Sequence, residues 1–126
     1  EKVFFQTLDE AKGEIQFFGS PNDFIQFVSH PRHQIWMAER KAKGLRVKAL
    51  FFPTKEAKAI NHDGDPLREM RYLRDITPFR SSFQMFANKI IIWQPKAPLA
   101  ILIEDEYIVG MLKAMFFKLW ETAARS

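Results

Sequence analysis

Apolar positions recur in two different periods along this chain, and the switches between them lay out its elements. In residues 2–12, Val3, Phe4, Leu8 and Ala11 return at near-helical spacing until Gly13 offers a stop. Residues 14–18 read as a short strand. The stretch Gly19-Ser20-Pro21-Asn22-Asp23 ends it with several side chains that suit a helix cap and a proline that suits a first turn. Phe24, Ile25, Phe27 and Val28 give the following helix an apolar face. Pro31 breaks or kinks it, and Ile35, Trp36 and Ala38 resume the pattern up to Gly44.

Residues 45–52 alternate and then turn wholly apolar, as a strand does when it runs from a sheet margin into the core; this predicts a central strand parallel to the first. Thr54 is placed to cap a short helix through Ile60, residues 61–66 form a loop, and 68–73 make a third strand. Residues 82–86 and 89–93 flank Ala87-Asn88, and because Asn tolerates a left-handed backbone the pair predicts a hairpin turn. The uniformly apolar run 99–103 predicts a buried strand, after which Glu104 or Asp105 starts a last helix. There Ile108, Met111, Leu112, Met115, Phe116 and Leu119 form an amphipathic stripe, widened by Phe117 and Trp120, that is assigned to core packing. The sum is an α/β domain with a single mixed, mostly parallel sheet and flanking helices.

Composition narrows the class. The 126 residues fit one domain, and 47% apolar content with 13 Phe, 3 Trp and 2 Tyr is ample for a core and foreign to a disordered segment. Cysteine is absent, which removes disulfides and thiolate metal sites. No apolar run approaches the ~20 residues of a membrane-spanning helix and the first residues do not form a signal peptide, so a cytoplasmic protein without membrane attachment is expected. The chain opens on Glu1 inside a helical pattern. Residues 1–12 are therefore expected to be the tail of a linker helix from a missing N-terminal domain, and 13–126 the regulatory domain itself.

Nineteen Lys and Arg against fifteen Asp and Glu give a net charge of +4, too small an excess to argue for nucleic acid by itself. The distribution is uneven: eight basic residues lie between Arg32 and Lys58 against Glu39 and Glu56, and Arg68, Arg71, Arg74 and Arg80 follow. A solvated surface is the expected use of that charge, with an anion-facing surface as the alternative.

The order of elements, with Ile15-Gln16-Phe17-Phe18-Gly19-Ser20, Gly44-Leu45-Arg46-Val47-Lys48-Ala49-Leu50-Phe51, Pro66-Leu67-Arg68-Glu69-Met70-Arg71-Tyr72-Leu73, Asn88-Lys89-Ile90-Ile91-Ile92-Trp93 and Ala100-Ile101-Leu102-Ile103-Glu104-Asp105 closing on Phe116-Phe117-Lys118-Leu119-Trp120, resembles the region that follows the winged helix in TrmB-like transcriptional regulators. The likeness covers nearly the whole chain and is carried by strand patterns in order. It implies a phospholipase-D-like fold, a DNA-binding winged helix upstream, dimeric action and a possible small-molecule effector. The fragment is expected to lack the additional C-terminal domain that some members carry, so sugar sensing is not expected of it.

The chemistry of the phospholipase-D enzymes is missing from the sequence. They need a His nucleophile with a Lys two residues on; here the histidines lead His30-Pro31-Arg32, His33-Gln34-Ile35 and His62-Asp63-Gly64, and the strand that should carry the motif reads Arg80-Ser81-Ser82-Phe83-Gln84-Met85. His30 and His33 lack an acidic co-ligand at matching spacing, and His62-Asp63-Gly64-Asp65 lacks the closing Glu of a calcium loop. Ser20 and Ser82 have no base in reach. No enzyme activity, metal or cofactor is expected.

A small ligand, where one binds, is expected beyond the C-terminal ends of the first strands, with Ser20, Asn22 and Thr54 as hydrogen-bonding residues and Arg74 and Lys89 as cations. The serine and threonine equally suit helix caps. Val3, Phe4, Phe5 and Leu8 are more apolar than one face on a small domain needs, which predicts self-association through that helix in the intact regulator. The competing reading is a stand-alone binding module for a phosphate-bearing ligand or nucleic acid.

Overall fold

Parallel strands build one half of a six-stranded sheet and antiparallel strands the other. In the computed structural model, residues 13–19, 30–55, 57–58, 65–74, 76–77, 79, 81–94 and 99–123 are described. The strands are β1 (Glu14–Gly19), β2 (Arg46–Phe51), β3 (Arg68–Tyr72), β4 (Ser82–Phe86), β5 (Lys89–Gln94) and β6 (Leu99–Glu104), in the order β3-β2-β1-β4-β5-β6. β1 pairs parallel with β2, and β2 parallel with β3. β4 runs antiparallel to β1, β5 to β4, and β6 to β5. The expected mixed sheet is present, but it is not mostly parallel: three of its five pairings are antiparallel, because the hairpin 82–94 and the strand after it join without a crossover helix.

Each face of the sheet carries one of the two long helices described, α1 (His30–Ala42) and α2 (Glu106–Thr122). Alternation along the strands sends Ile15, Phe17, Val47, Ala49, Met70, Tyr72, Ile91 and Trp93 into a cluster with Trp36 of α1. The residues between them, Leu50, Met85 and Ile90, meet Val109, Phe116 and Trp120 of α2. The linker helix expected over 2–12 and the first part of the helix expected over 21–44 lie outside the described residues.

Local chemistry fixes the joints. α1 ends at Gly44, whose positive φ of 69° lets its N–H reach Lys41 O (3.0 Å) while Leu45 N–H reaches Arg40 O (3.1 Å). α2 starts at Asp105, whose carboxylate accepts the N–H groups of Tyr107 and Ile108 at 2.8 and 2.9 Å. Gly19 sits where β1 and β4 crowd; a Cβ there would stand 2.8 Å from both Ser81 O and Ser82 Oγ, and its φ is +119°.

Three local expectations are corrected. The left-handed residue of the β4–β5 turn is Ala87 (φ 51°), not Asn88. β6 is not a buried strand. It is the last strand of the sheet, and Leu99, Ile101 and Leu102 are 49%, 43% and 39% exposed. A uniformly apolar run reports that both faces lack charge, and an edge strand of an uncovered surface meets that pattern as well as a central one does. Nor is the whole stripe of α2 core. Val109, Phe116 and Trp120 are buried and Leu112 and Phe117 half-buried, whereas Ile108, Met111, Met115 and Leu119 turn one flank to solvent.

Candidate functional site

The three parallel strands leave the sheet together: Phe52 N–H donates to Gly19 O (3.0 Å) and Leu73 N–H to Phe51 O (2.8 Å). Two of the sequence-predicted site residues stand at this end. Thr54 follows β2, and its Oγ1 accepts the Ala57 N–H (3.1 Å) while its carbonyl accepts the Lys58 N–H (3.1 Å), so the hydroxyl caps the turn of helix that follows. Arg74 follows β3 and is exposed. Ser20 and Asn22 lie outside the described residues.

Lys89 is not brought to them. Register pairs Gln16 with Met85 and Phe86 with Lys89, which sets Lys89 at the opposite end of the sheet, level with the start of β1. There its Nζ pairs with the Glu104 carboxylate at 3.2 Å. Two antiparallel steps, β1 to β4 and β4 to β5, leave β5 running in the same direction as β1, and Lys89 is its first residue, so it stands where the parallel strands begin and not where they end.

A cleft of about 140 Å³ opens at that opposite end, between the first residues of the parallel strands, with Glu14, Arg46, Lys48, Arg68 and Glu69 in its wall. Lys48 Nζ lies 3.4 Å from Glu14, Glu69 lies 3.4 Å from Arg71, and Arg68 lies 3.8 Å from Asp65. Arg46, at the first position of β2, is exposed. Lys48 and Arg68 thus each stand near a carboxylate; the wall holds no nucleophile with a base beside it. The chemistry it offers is electrostatic.

Beside this cleft lies the charge pair that sequence reasoning missed. Arg40, counted above among surface charges, is fully buried and donates to the Asp65 carboxylate and to Leu45 O (2.8 Å). Asp65, read above only as part of a failed calcium loop, also accepts the Leu67 N–H at 2.9 Å. Burial pushes the Asp65 carboxyl up, but the Leu67 N–H, the Arg40 guanidinium and Lys41 together outweigh it and hold the group below its ordinary value. Twenty-five residues separate the partners, so no local motif could announce them. The pair ties α1 to the entry of β3.

A second basic cluster joins β2 and β3 to α2. Arg71 donates to Trp120 O (2.6 Å) with its guanidinium 4.5 Å from the Trp120 ring centre, and Lys48 Nζ lies 5.5 Å from the Phe117 ring centre. Two of the basic residues in the 46–74 stretch are thus occupied in packing. Among the described residues no group of three or more His, Asp or Glu is disposed to hold a metal; the His30 and His33 side chains and His62 lie outside them. No helix among the described residues is long and apolar enough to cross a membrane.

No family model matches the sequence, and no curated protein matches it. Among solved structures, the chain is similar to TrmBL2, an archaeal chromatin protein whose structure shows a novel mode of DNA binding. The two share a TM-score of 0.65 at 17% identity. The likeness takes in 97% of this chain and 46% of TrmBL2, so the fold described here spans about half the length of that protein.

Proposed function

We propose that this chain is the regulatory domain of a TrmB-like transcriptional regulator, of phospholipase-D-like fold, that serves an N-terminal DNA-binding winged helix through effector sensing, self-association or both. The observation that carries the reading is the fold shared with a DNA-binding chromatin protein over 97% of this chain. The described cleft offers ion pairs between cations and carboxylates. In this reading residues 1–12 are the tail of the linker helix, and the protein works in the cytoplasm as a homodimer. An effector binds beyond the C-terminal ends of β1–β3, near Thr54 and Arg74 and the Ser20–Asn22 segment. Lys89 leaves that set.

The test is DNA binding by the protein encoded with its upstream region, set beside this chain alone. The longer protein is expected to bind duplex DNA and this chain to show no binding at physiological salt. A second reading, a module that binds phosphate groups directly, is favoured by Arg46, Lys48 and Arg68 around the cleft. Binding of DNA by this chain alone, with affinity falling steeply as salt rises and lost in Arg46→Ala, would establish that reading instead. Turnover of a generic phosphodiester by either protein would overturn both.

A further inference from the structure

We propose that β6 is the contact through which two copies of this chain join, pairing edge to edge and antiparallel about a two-fold axis so that the sheets become one. The inference deepens the self-association reading above and rests on it. β6 is the outermost strand, and its outer row of backbone N–H and C=O groups has no neighbouring strand among the described residues. Sheet edges are usually defended by charge, proline or a bulge, because a bare edge is a template for another strand. From Leu99 to Ile103 this one carries no charged residue at all.

The sequence of β6 suits itself. In antiparallel self-pairing, apolar residues face apolar residues on both sides of the sheet. The single charge, Glu104, meets the far end of the partner strand and never the partner's Glu104; it is already matched by Lys89 at 3.2 Å. A parallel pairing would set the two carboxylates side by side. The opposite edge cannot extend the sheet in the same way, since β3 carries Arg68, Glu69 and Arg71. Association therefore closes at two copies rather than growing into a fibre.

The helix that directly follows β6 adds apolar area. Ile103 packs into the cluster beneath α2, so Leu99 and Ile101, two and four residues away, stand on the same face of the sheet as that helix. Ile108, Met111 and Met115 on the flank of α2 are 40%, 57% and 57% exposed. With Leu102 on the other face, these six residues expose roughly 500 Å² of apolar surface summed over the strand and the helix that follows it. The strand backbone brings this toward the ~800 Å² that each partner contributes to a stable interface. Pairing about the two-fold puts both α2 helices on one side of the joined sheet, with Leu99 and Ile101 of both copies between them.

Sedimentation of the chain, alone and as Ile101→Lys/Leu102→Lys, decides the matter, with Glu69→Lys on the opposite edge as control. The expected result is a dimer for the parent and the control, and a folded monomer for the double variant, its dissociation constant raised at least tenfold. A parent dimer that persists unchanged in the folded double variant overturns the β6 interface and leaves self-association standing. A parent that is monomeric at every concentration tested overturns both. Should the double variant fail to fold, amide exchange of the parent keeps the question open to refutation. Protection of residues 99–104 is expected to rise with protein concentration, and protection independent of concentration in a dimeric parent overturns the interface.

Discussion

The two edges of this sheet are built on opposite plans. β3 is held by charge: Arg68 lies 3.8 Å from the Asp65 carboxylate, Arg71 lies 3.4 Å from Glu69 and donates to Trp120 O, and Asp65 is anchored in turn by buried Arg40. β6 is held by its pairing with β5 and by the packing of Ala100 and Ile103, five apolar residues with no charge until Glu104. A charged edge is specified for a single place in its own chain, because every cation there has a matched carboxylate or carbonyl. An apolar edge is specified only on its inner side. The difference separates a finished margin from an unfinished one.

Replacing the same residue type by the same carboxylate on adjacent strands sharpens that contrast most. Ile91 of β5 is fully buried, and Ile91→Asp puts an uncompensated carboxylate into the cluster with Trp36 and Trp93; loss of the cooperative unfolding transition is expected. Ile101 is 43% exposed one strand away, and Ile101→Asp is expected to cost only about 1 kcal/mol in the dissociated chain. Urea unfolding of the two variants measures both. Equal damage at the two positions would mean that β6 is covered, and the contrast between the edges would fall.

Undermining the charged edge comes next. Arg40→Met leaves Asp65 buried without its main partner and is expected to cost about 3–5 kcal/mol, read as a lower urea midpoint. Arg40→Met/Asp65→Leu is expected to recover much of that loss, because neither charge is then stranded. The sign with pH follows from the depressed carboxyl. A group whose pKa is lower folded than unfolded contributes stability that is fully present above its unfolded value, about 3.9, and is lost as pH falls below that through the folded value. The parent should therefore lose this increment in acid, and the double variant should show a flatter acid limb. Identical acid limbs in both would remove Asp65 from the account of the β3 edge.

A smaller effect is expected at the joint where β6 hands over to α2. Asp105→Ala removes the acceptor of the Tyr107 and Ile108 N–H groups and should cost about 1 kcal/mol in thermal unfolding. Because the cap is local and exposed, the loss should be the same in dimer and monomer. A cost that grows with protein concentration would tie the start of α2 to the association surface.

Period and punctuation made the strands legible, and all six stand where alternation and apolar runs placed them, as does the cap at Asp105. What stayed hidden depends on neighbours distant in the chain. Whether Leu99–Ile103 is inside or at the rim is decided by strand order, which no run of five residues encodes. The exposed flank of α2 carries the same residue types as its buried face, so Met111 and Met115 could not be told from Phe116 by kind. Arg40 and Asp65 meet only once β2 and β3 are parallel neighbours, and Lys89, the first residue of a strand that runs the same way as β1, stands at the far end from Thr54 and Arg74. The candidate ligand residues were chosen from strand ends. Among the described ones, Thr54 and Arg74 follow the C-terminal ends of β2 and β3 and fall together, whereas Lys89 opens β5.

The finest test of the comparison lies in the hairpin that ties β5, and through it β6, to the rest of the sheet. Ala87 holds φ at 51°, a backbone region where an L-residue's Cβ crowds the following carbonyl, and it does so in a two-residue turn between β4 and β5. Glycine has no Cβ to crowd, but it loses more chain entropy on folding, and the two effects oppose each other. At a left-handed position the steric relief is the larger, so Ala87→Gly is expected to stabilise the domain by about 0.5 kcal/mol, a rise of a few degrees at most in Tm. The Lys113 ammonium reaches Ala87 O at 3.1 Å through a backbone carbonyl, and the substitution leaves that contact in place. Gly is expected to act on the antiparallel half alone, so in amide exchange the gain should register in β4 and β5 more than in β2 and β3. A destabilised Ala87→Gly would show that the turn's side chain, not its backbone, is what holds the apolar edge in register.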